Sequence, residues 1–362
     1  MKINGPINIT RLEGNINNIK KVLYIFSDFH LEPYEQSNCN EDEAVDIDYF
    51  LSKTFLELNQ TIDFFLEIDN NMINNYNKPF KNIYINNLSQ FFSRHFNITS
   101  NKVVKQSEKY KYVRFHFSDI RNDNSIIEEY ISVIYSIYFN ENIFKSFIID
   151  LNNNTIFLND SKQKLEKLDS ISTKLLEYFY KDYYINKIKN KINIKNVKTI
   201  LNNYLDLFYN NLKNINTITT TYYNKIVKIT NNYKKFEELN INEYIKKIDI
   251  PITELNNKYI FDFNIQKILL MDLYFLRRFL DKDYIKNAIL YCGARHSISI
   301  IYILVYHFNF KITHSTSNIN NINNKIKNND YINIIYNGIQ TLINNKTIIQ
   351  CSDISSFPKK FL

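Results

Sequence analysis

Three polar side chains follow apolar runs that have the character of buried strands: His30, Glu67 and His296. His30 comes four residues after the run 22–26, Glu67 lies near the end of the run 62–68, and His296 comes four residues after the run 288–292. Parallel strands end at one edge of a sheet, where α/β proteins keep their sites, so we expect the three side chains to meet there. Two imidazoles and a carboxylate are suitable ligands for a catalytic divalent metal ion, with positions left open for water and substrate.

Further charged residues lie near these strand ends and on the helix that precedes the last one. Asp28 comes two residues before His30, and Asp119 and Arg121 end an alternating segment at 112–121. A planar guanidinium donates two parallel hydrogen bonds to an oxyanion or a carboxylate. Only 7 of the 45 basic residues are Arg, so an arginine here indicates a position where lysine would not serve. We therefore expect Arg278 or Arg277 to orient the bond to be broken, with Asp28, Asp119 and Arg121 as supporting residues.

The segment 293–296, Gly-Ala-Arg-His, is built from residues that this chain uses rarely. The 362 residues include 4 Gly, 3 Ala, 7 Arg and 6 His. Glycine permits backbone conformations that a Cβ forbids, so we expect a tight turn at 293–296 and an apolar helix that begins near Ser297.

The order of apolar and amphipathic segments predicts one α/β domain whose central, mostly parallel sheet has helices on both faces. The expected strands are 22–26, 62–68, 112–121, 288–292, 310–314 and 347–351, and the expected helices are 50–58, 85–96, 126–147, 265–280 and 331–344. Asp272 lies on the apolar face of the helix 265–280 and is expected to point toward the body of the domain. An Asn-rich loop is expected at 315–330. Residues 1–160 form the first half of the domain, 161–250 a helical insertion or cap, and 251–362 the second half.

Composition restricts the partners of this chain. The net charge is +8 and the isoelectric point is near 9.0, but the lysines are spread along the chain, so no clear nucleic-acid site is expected. Abundant Asn, Ile, Lys, Tyr and Phe together with scarce Gly and Ala indicate an AT-rich genome, such as that of a large DNA virus.

The cysteines and the apolar segments predict a location. Cys39, Cys292 and Cys351 are an odd and widely spaced set, so we expect no disulfide framework and a reducing compartment. The first residues lack the apolar core of a signal peptide, and the most apolar helix is too short to cross a bilayer. We expect no membrane span and a cytoplasmic location, which for a viral protein means the host cytoplasm or the virion.

The segments Ser27-Asp28-Phe29-His30 and Gly293-Ala294-Arg295-His296 resemble the paired GxxH motifs of the TraB, Tiki, ChaN and erythromycin-esterase-like superfamily. In that superfamily the two motif histidines, a Glu at the end of the next strand and an Arg on the helix before the last motif converge on one site. Glu67 matches that glutamate, and Arg277 or Arg278 matches that arginine. The first motif has Ser27 where the superfamily has Gly.

The resemblance implies a hydrolase of peptide or ester bonds that is either metal-dependent or driven by His and Glu. Its implied metal ligands are His30, Glu67 and His296, its implied cofactor is a divalent metal ion, and its implied partner is a peptide or small-molecule substrate. One alternative is a noncatalytic protein that keeps the fold for assembly or host interaction. A second is a degenerate calcineurin-like metallophosphoesterase, because Asp28 and His30 match that family's opening motif and Asp69 its second aspartate, although its later motifs are missing.

Overall fold

The computed structural model describes residues 1–30, 37–39, 44–68, 83–99, 102–105, 107–119, 170, 174, 189–231, 268–343 and 349–358. The chain separates into two compact units. The first comprises Met1–Asp123, Ile192–Ile200 and Leu270–Leu362, and the second comprises Asn124–Lys191 and Leu201–Leu269. The domain boundaries expected at 161 and 250 stay predictions.

The strands and helices of the described residues are as follows. The strands are β1 (Lys2–Asn4), β2 (Asn8–Ile16), β3 (Ile19–Asp28), β4 (Val45–Asp46), β5 (Ile62–Leu66), β6 (Asn97–Thr99), β7 (Lys102–Lys105), β8 (Val113–Phe117), β9 (Asn287–Gly293), β10 (Lys311–Ser315) and β11 (Cys351–Asp353). The helices are α1 (Ile47–Leu56), α2 (Ile83–His95), α3 (Lys195–Asn231), α4 (268–281), α5 (Ala294–Phe308), α6 (Ile319–Asn328) and α7 (Tyr331–Asn337).

The central sheet has six strands in the order β10-β2-β3-β9-β5-β8. The four strands β3, β9, β5 and β8 are parallel to one another, whereas β2 pairs antiparallel with both β3 and β10. The prediction of a mostly parallel central sheet is therefore confirmed, with a short antiparallel part at one side. The parallel strands consist largely of buried apolar residues, as expected for strands that are covered on both faces.

Helices cover both faces of this sheet. Alternate residues of each strand point to opposite faces, so neighbouring residues of β5 contact different helices. On one face, Phe64 of β5 packs against Phe55 of α1 and Phe92 of α2, with ring centroids 5.9 and 4.7 Å apart. On the other face, Phe65 packs edge-to-face on Phe275 of α4, with centroids 5.0 Å apart. The helix α4 therefore lies against the same face of β5 as Asp63, Phe65 and Glu67.

Two local predictions are wrong at the second half of the chain. The expected turn at 293–296 is the first turn of α5, which begins at Ala294 instead of near Ser297. The Asn-rich segment 315–330 contains the helix α6, whose first turn is capped by the Asn318 side chain on the backbone N–H of Asn321 at 3.1 Å. Ile322 and Ile326, four residues apart, are buried and anchor this helix.

The expectation of no disulfide is also wrong, because Cys39 and Cys351 are bonded to each other across 312 residues of sequence. Strand β1 pairs with β11 on one side and with β4 on the other, which brings the last strand of the chain close to the segment 37–39. The backbone N–H of Gln350 donates to the carbonyl of Ser37 at 3.2 Å in the same place. The cysteine pattern therefore gives no support for a reducing compartment.

The expected helical insertion at 161–250 contains the long helix α3, and the expected helix at 126–147 lies outside the described residues. None of the helices that the structure describes is long and apolar enough to cross a membrane.

Candidate active site

The register of the parallel strands brings the three predicted side chains to one edge of the sheet. Asp28, the last residue of β3, pairs with Gly293, the last residue of β9. One strand further on, the backbone N–H of Glu67 donates to the carbonyl of Tyr291 at 3.0 Å, so β5 ends at the same level. His30 therefore follows β3, and Glu67 follows β5. His296 lies in the first turn of α5, which follows the strand β9 between them.

The carboxylate of Glu67 is the centre of this edge. Its side chain is only 6 % exposed, and its Oε2 accepts a hydrogen bond from the backbone N–H of Gly293 at 2.6 Å. The Nε2 atom of His296 lies 3.2 Å from Oε1, and the Nε2 atom of His30 lies 3.5 Å from Oε2. The structure thus brings together the two histidines and the glutamate that the sequence predicted would meet.

His296 is held between two carboxylates. Its Nδ1 atom lies 2.7 Å from Oδ1 of Asp272, opposite the contact that Nε2 makes with Glu67. Asp272 is fully buried on α4, and its second oxygen accepts a hydrogen bond from the hydroxyl of Ser299. Tyr331 in turn lies 2.8 Å from the Ser299 oxygen. Because ionised carboxylates only accept hydrogen bonds, both nitrogens of His296 carry protons in this arrangement.

His30 is the solvent-facing member of the set, since 39 % of its side chain is exposed. Its backbone is in the left-handed region, with φ of 53°, and its backbone N–H donates to Oδ1 of Asp28 at 2.9 Å. Asp28 also accepts hydrogen bonds from the Tyr291 hydroxyl at 2.5 Å and from the Gln350 side chain at 3.3 Å. Asp28 therefore fixes the turn that presents His30, as aspartate commonly does in turns.

Gly293 contributes to this edge through its small size and not through an unusual backbone conformation. Its φ is −60° and its ψ is 151°, values that any residue can adopt. A Cβ atom at this position would lie 2.9 Å from Nε2 of His30 and 3.4 Å from Oε2 of Glu67. The absence of a side chain at residue 293 therefore makes room for the contact between His30 and Glu67.

The charges of these side chains shift one another's pKa values. Burial alone lowers the pKa of His296, but the Glu67 and Asp272 carboxylates outweigh burial and raise it to about 10. Burial alone raises the pKa of Glu67, but His296 and His30 outweigh it and hold the pKa well below its usual value. For His30, burial lowers the pKa and the nearby Glu67 raises it, with a net increase. Burial dominates at Asp272, whose pKa is raised.

The two candidate arginines contact Tyr274 and His116, outside the carboxylate–imidazole set that we call the His–Glu cluster (His30, Glu67, Asp272 and His296). Arg278 donates to Nδ1 of His116 at 3.1 Å and to the hydroxyl of Tyr274 at 3.3 Å. The guanidinium of Arg277 lies 5.3 Å from the centre of the Tyr274 ring. Both arginines thus lie beside Tyr274, further along α4 than Asp272.

The remaining predicted residues divide between the described and the undescribed parts of the chain. Asp119 is buried, and its backbone N–H lies 3.4 Å from the carbonyl of Ile68, one residue beyond Glu67. Arg121 and Asp69 lie outside the described residues. Within the part of the chain that is described, no group of three or more His, Cys, Asp or Glu side chains is arranged to hold a metal ion. The divalent metal stays a prediction.

The expected site residues do not include Asp272, although helical periodicity places this carboxylate on the inward face of α4. A charged residue among apolar neighbours on a helix needs a buried partner, and this signal pointed to Asp272. His116 belongs to no motif in the sequence, and it lies within hydrogen-bond distance of both Asp63 and Arg278.

Comparison with known proteins gives a family and a group of viral relatives. The model of a family of unknown function, DUF5847, matches residues 1–362. "Uncharacterized protein R160" of Acanthamoeba polyphaga mimivirus is 32% identical over 100% of this chain and 97% of its own length. "Uncharacterized protein R161" of the same virus is 31% identical over 100% of this chain and 98% of its own.

"Uncharacterized protein R706" of this virus is 30% identical over 99% of this chain and 96% of its own. No solved structure gave a significant match. These relatives are consistent with the expected origin in a large DNA virus. The chain belongs to DUF5847, a family of unknown function, and is similar over its whole length to uncharacterized proteins of mimivirus.

Proposed function

We propose that this chain is a hydrolase of ester or peptide bonds in which His30 is the general base. The observation that carries the proposal is the contact between the partly exposed imidazole of His30 and the buried carboxylate of Glu67. A carboxylate that orients a histidine and stabilises its protonated form is the arrangement that activates water or a hydroxyl group in many hydrolases. The resemblance of the segments 27–30 and 293–296 to paired GxxH motifs supports the same reaction class.

The chemistry follows from which nitrogen of His30 faces Glu67. In neutral His30 the Nε2–H group donates toward Glu67, which leaves Nδ1 as the basic nitrogen. Nδ1 takes a proton from a water molecule while the water oxygen attacks the carbonyl carbon of the substrate. The proton then passes from His30 to the leaving alcohol or amine when the bond to the carbonyl carbon breaks. Glu67 stabilises the imidazolium form between these two steps.

His296 and Asp272 act on Glu67 and not on the substrate. The positive charge of His296 keeps Glu67 ionised in a buried position, and Asp272 balances the charge of His296 from the other side. Carboxylates and imidazoles thus alternate in the order Asp272, His296, Glu67 and His30. Of these four side chains, His30 is the one with substantial solvent exposure.

The proposal is tested by assaying the purified full chain against 4-nitrophenyl acetate, 4-nitrophenyl butyrate and a fluorogenic casein. General-base catalysis contributes about 10²- to 10⁴-fold, so His30→Ala should lower kcat/KM by at least about a hundredfold. His314→Gln is the matched control, because His314 lies on β10 and hydrogen-bonds to Thr313. Circular dichroism and gel filtration verify that each variant is folded.

Two further measurements distinguish a hydrolase that uses His30 and Glu67 alone from one that depends on a metal ion. The base must be unprotonated, and the pKa of His30 is raised. The value of kcat/KM should therefore rise with pH, and the midpoint of this rise should lie above about pH 6.5. Each assay is repeated after dialysis against a chelator and after addition of Zn²⁺ or Mn²⁺. Activity that needs the added ion, and that both His30→Ala and His296→Ala abolish, would establish the metal-dependent version.

Hydrolysis of none of these substrates under any of these conditions would overturn the proposal and favour the noncatalytic alternative. No observation in the described residues favours the metallophosphoesterase alternative, since Asp28 is engaged in fixing the turn before His30.

A further inference from the structure

A second charged cluster lies on the face of the sheet that carries Glu67, nearer the beginning of β5. Asp63 comes four residues before Glu67, which places it about 13 Å away along an extended strand. Arg114 of β8 forms a two-pronged ion pair with Asp63, at 2.8 and 2.6 Å. His116 lies 2.7 Å from Asp63 through Nε2 and 3.1 Å from Arg278 through Nδ1.

The hydrogen bonds assign the charges of this second cluster. A guanidinium only donates, so Nδ1 of His116 accepts from Arg278 and Nε2–H donates to Asp63. His116 is therefore neutral, and burial, the largest influence on its pKa, lowers it in agreement. Asp63 balances the charge of Arg114. Within the described residues, Arg278 hydrogen-bonds to two neutral partners, His116 and Tyr274.

Arg277 is a second arginine that forms no ion pair in the described residues. The residue is only 7 % exposed, yet the described part of the chain offers it no hydrogen bond or ion pair, and its Nε–H is buried without a partner. The Nε–H of Arg278 is likewise buried and unpartnered. The nearby carboxylate of Asp281 is already engaged by the backbone N–H groups of Asn193 and Ile194, at 2.6 and 2.9 Å.

The contacts with Tyr274 do not satisfy these donors. The guanidinium carbons of Arg277 and Arg278 lie 5.3 and 5.9 Å from the centre of this ring. A ring face attracts the positive charge, but the N–H groups of a guanidinium point outward in its own plane and need acceptors there. Arg277 is buried and Arg278 is half-buried, both have an unused Nε–H donor, and neither forms an ion pair with a carboxylate in the described residues. Such an arrangement is costly unless an anion binds it.

We propose that Arg277 and Arg278 form a binding site for an oxyanion of the phosphate class, separate from the His–Glu cluster. Phosphate oxygens match the parallel N–H pairs of a guanidinium, and the two negative charges of a phosphate or phosphomonoester would balance the two positive charges. The ligand is thus inorganic phosphate or the phosphate group of a small molecule.

The site is tested by isothermal titration of the full chain with sodium phosphate and with phenyl phosphate, in 150 mM NaCl to suppress nonspecific binding to the basic surface. Saturable binding of one anion per chain is expected. A lost charge-assisted hydrogen bond is worth about 1.5 to 3 kcal/mol, so Arg277→Gln and Arg278→Gln should each weaken binding by about tenfold or more. Tighter binding of phenyl phosphate than of phosphate would indicate a phosphorylated small molecule, and the reverse order would indicate the free ion.

Arg94→Gln is the control, because Arg94 is an exposed arginine of α2 that hydrogen-bonds to the side chain of Gln90. It should bind phosphate as the wild type does, and His30→Ala should do so too, whether or not the chain is a hydrolase. If a glutamine variant does not fold, the Nε–H NMR signals of Arg277 and Arg278 in the wild type give the answer, since phosphate should shift them and leave that of Arg94 in place. Absence of saturable binding by the wild type, or equal weakening by Arg94→Gln and Arg277→Gln, would overturn the proposal.

Discussion

Replacing Glu67 by glutamine should destabilise the protein strongly in a way that depends on pH. Removing one partner of a buried ion pair costs about 3 to 5 kcal/mol. Glutamine keeps an oxygen that can accept from the Gly293 N–H group, a hydrogen bond worth about 1 kcal/mol, but its amide N–H₂ meets the protonated Nε2 of His296. We therefore expect Glu67→Gln to lower the free energy of unfolding by about 2 to 4 kcal/mol near pH 6.

The pH dependence has a definite sign. The pKa of Glu67 is lowered in the folded state, so its contribution is present above the unfolded value of about 4.3 and is lost as the pH falls further. The pKa of His296 is raised to about 10, so its contribution is complete below the unfolded value of about 6.5 and is lost as the pH rises toward 10. The difference between Glu67→Gln and the wild type should thus be largest between about pH 4.5 and 6.5.

Urea unfolding followed by fluorescence, at a series of pH values, measures this difference. Glu57→Gln is the matched control, because Glu57 is exposed at the end of α1 and its substitution should change the free energy of unfolding by less than about 0.5 kcal/mol. A Glu67→Gln effect below about 1 kcal/mol near pH 6, or one that does not change up to pH 10, would refute the ion-pair reasoning.

Three other substitutions test separate contacts. Asp272→Asn should lower the pKa of His296 well below its wild-type value of about 10, because it removes one of two neighbouring carboxylates, and histidine NMR would contradict this if the pKa stayed the same. Gly293→Ala should cost about 1 to 3 kcal/mol of unfolding free energy through the contact of its Cβ with His30, without backbone strain; unchanged urea unfolding would argue against that crowding. Cys39→Ser should cost about 2 to 5 kcal/mol, and dithiothreitol should destabilise the wild type by a similar amount but leave the variant unaffected; indifference of the wild type to dithiothreitol would contradict the disulfide.

The strands β3, β5 and β9 of the parallel sheet could be predicted because short apolar segments, typical of buried strands, precede polar residues there. The runs that precede His30, Glu67 and His296 are buried strands whose ends share one edge, so three distant residues meet for the reason that the sequence suggested. The position of Asp272 was predictable in the same way, from helical periodicity.

Other parts of the site depend on pairings that local patterns do not encode. The contact of Gln350 with Asp28 and the bond between Cys39 and Cys351 arise only because β1 pairs with β11 and β4. The partner of Arg278 depends on the register of β8 against β5, which places His116 opposite Phe65.

Composition concealed further elements. In helix α6 the buried apolar residues are Ile322 and Ile326, and most of the others are asparagines and lysines. This composition is typical of a loop. Strand β2 carries the buried polar residues Asn8, Thr10 and Arg11, which obscure the alternation typical of a strand.

The central claim is that Glu67 lies ionised between two imidazoles, of which His296 is buried and charged and His30 faces solvent. Titration of the histidine ring nitrogens by two-dimensional NMR, in the wild type, tests it most directly. Both nitrogens of His296 should stay protonated well above neutral pH, with a pKa of about 10, and His30 should lose its proton at a lower pH that is still above about 6.5. A neutral His296 at pH 7, or a His30 pKa below about 6.5, would contradict the account.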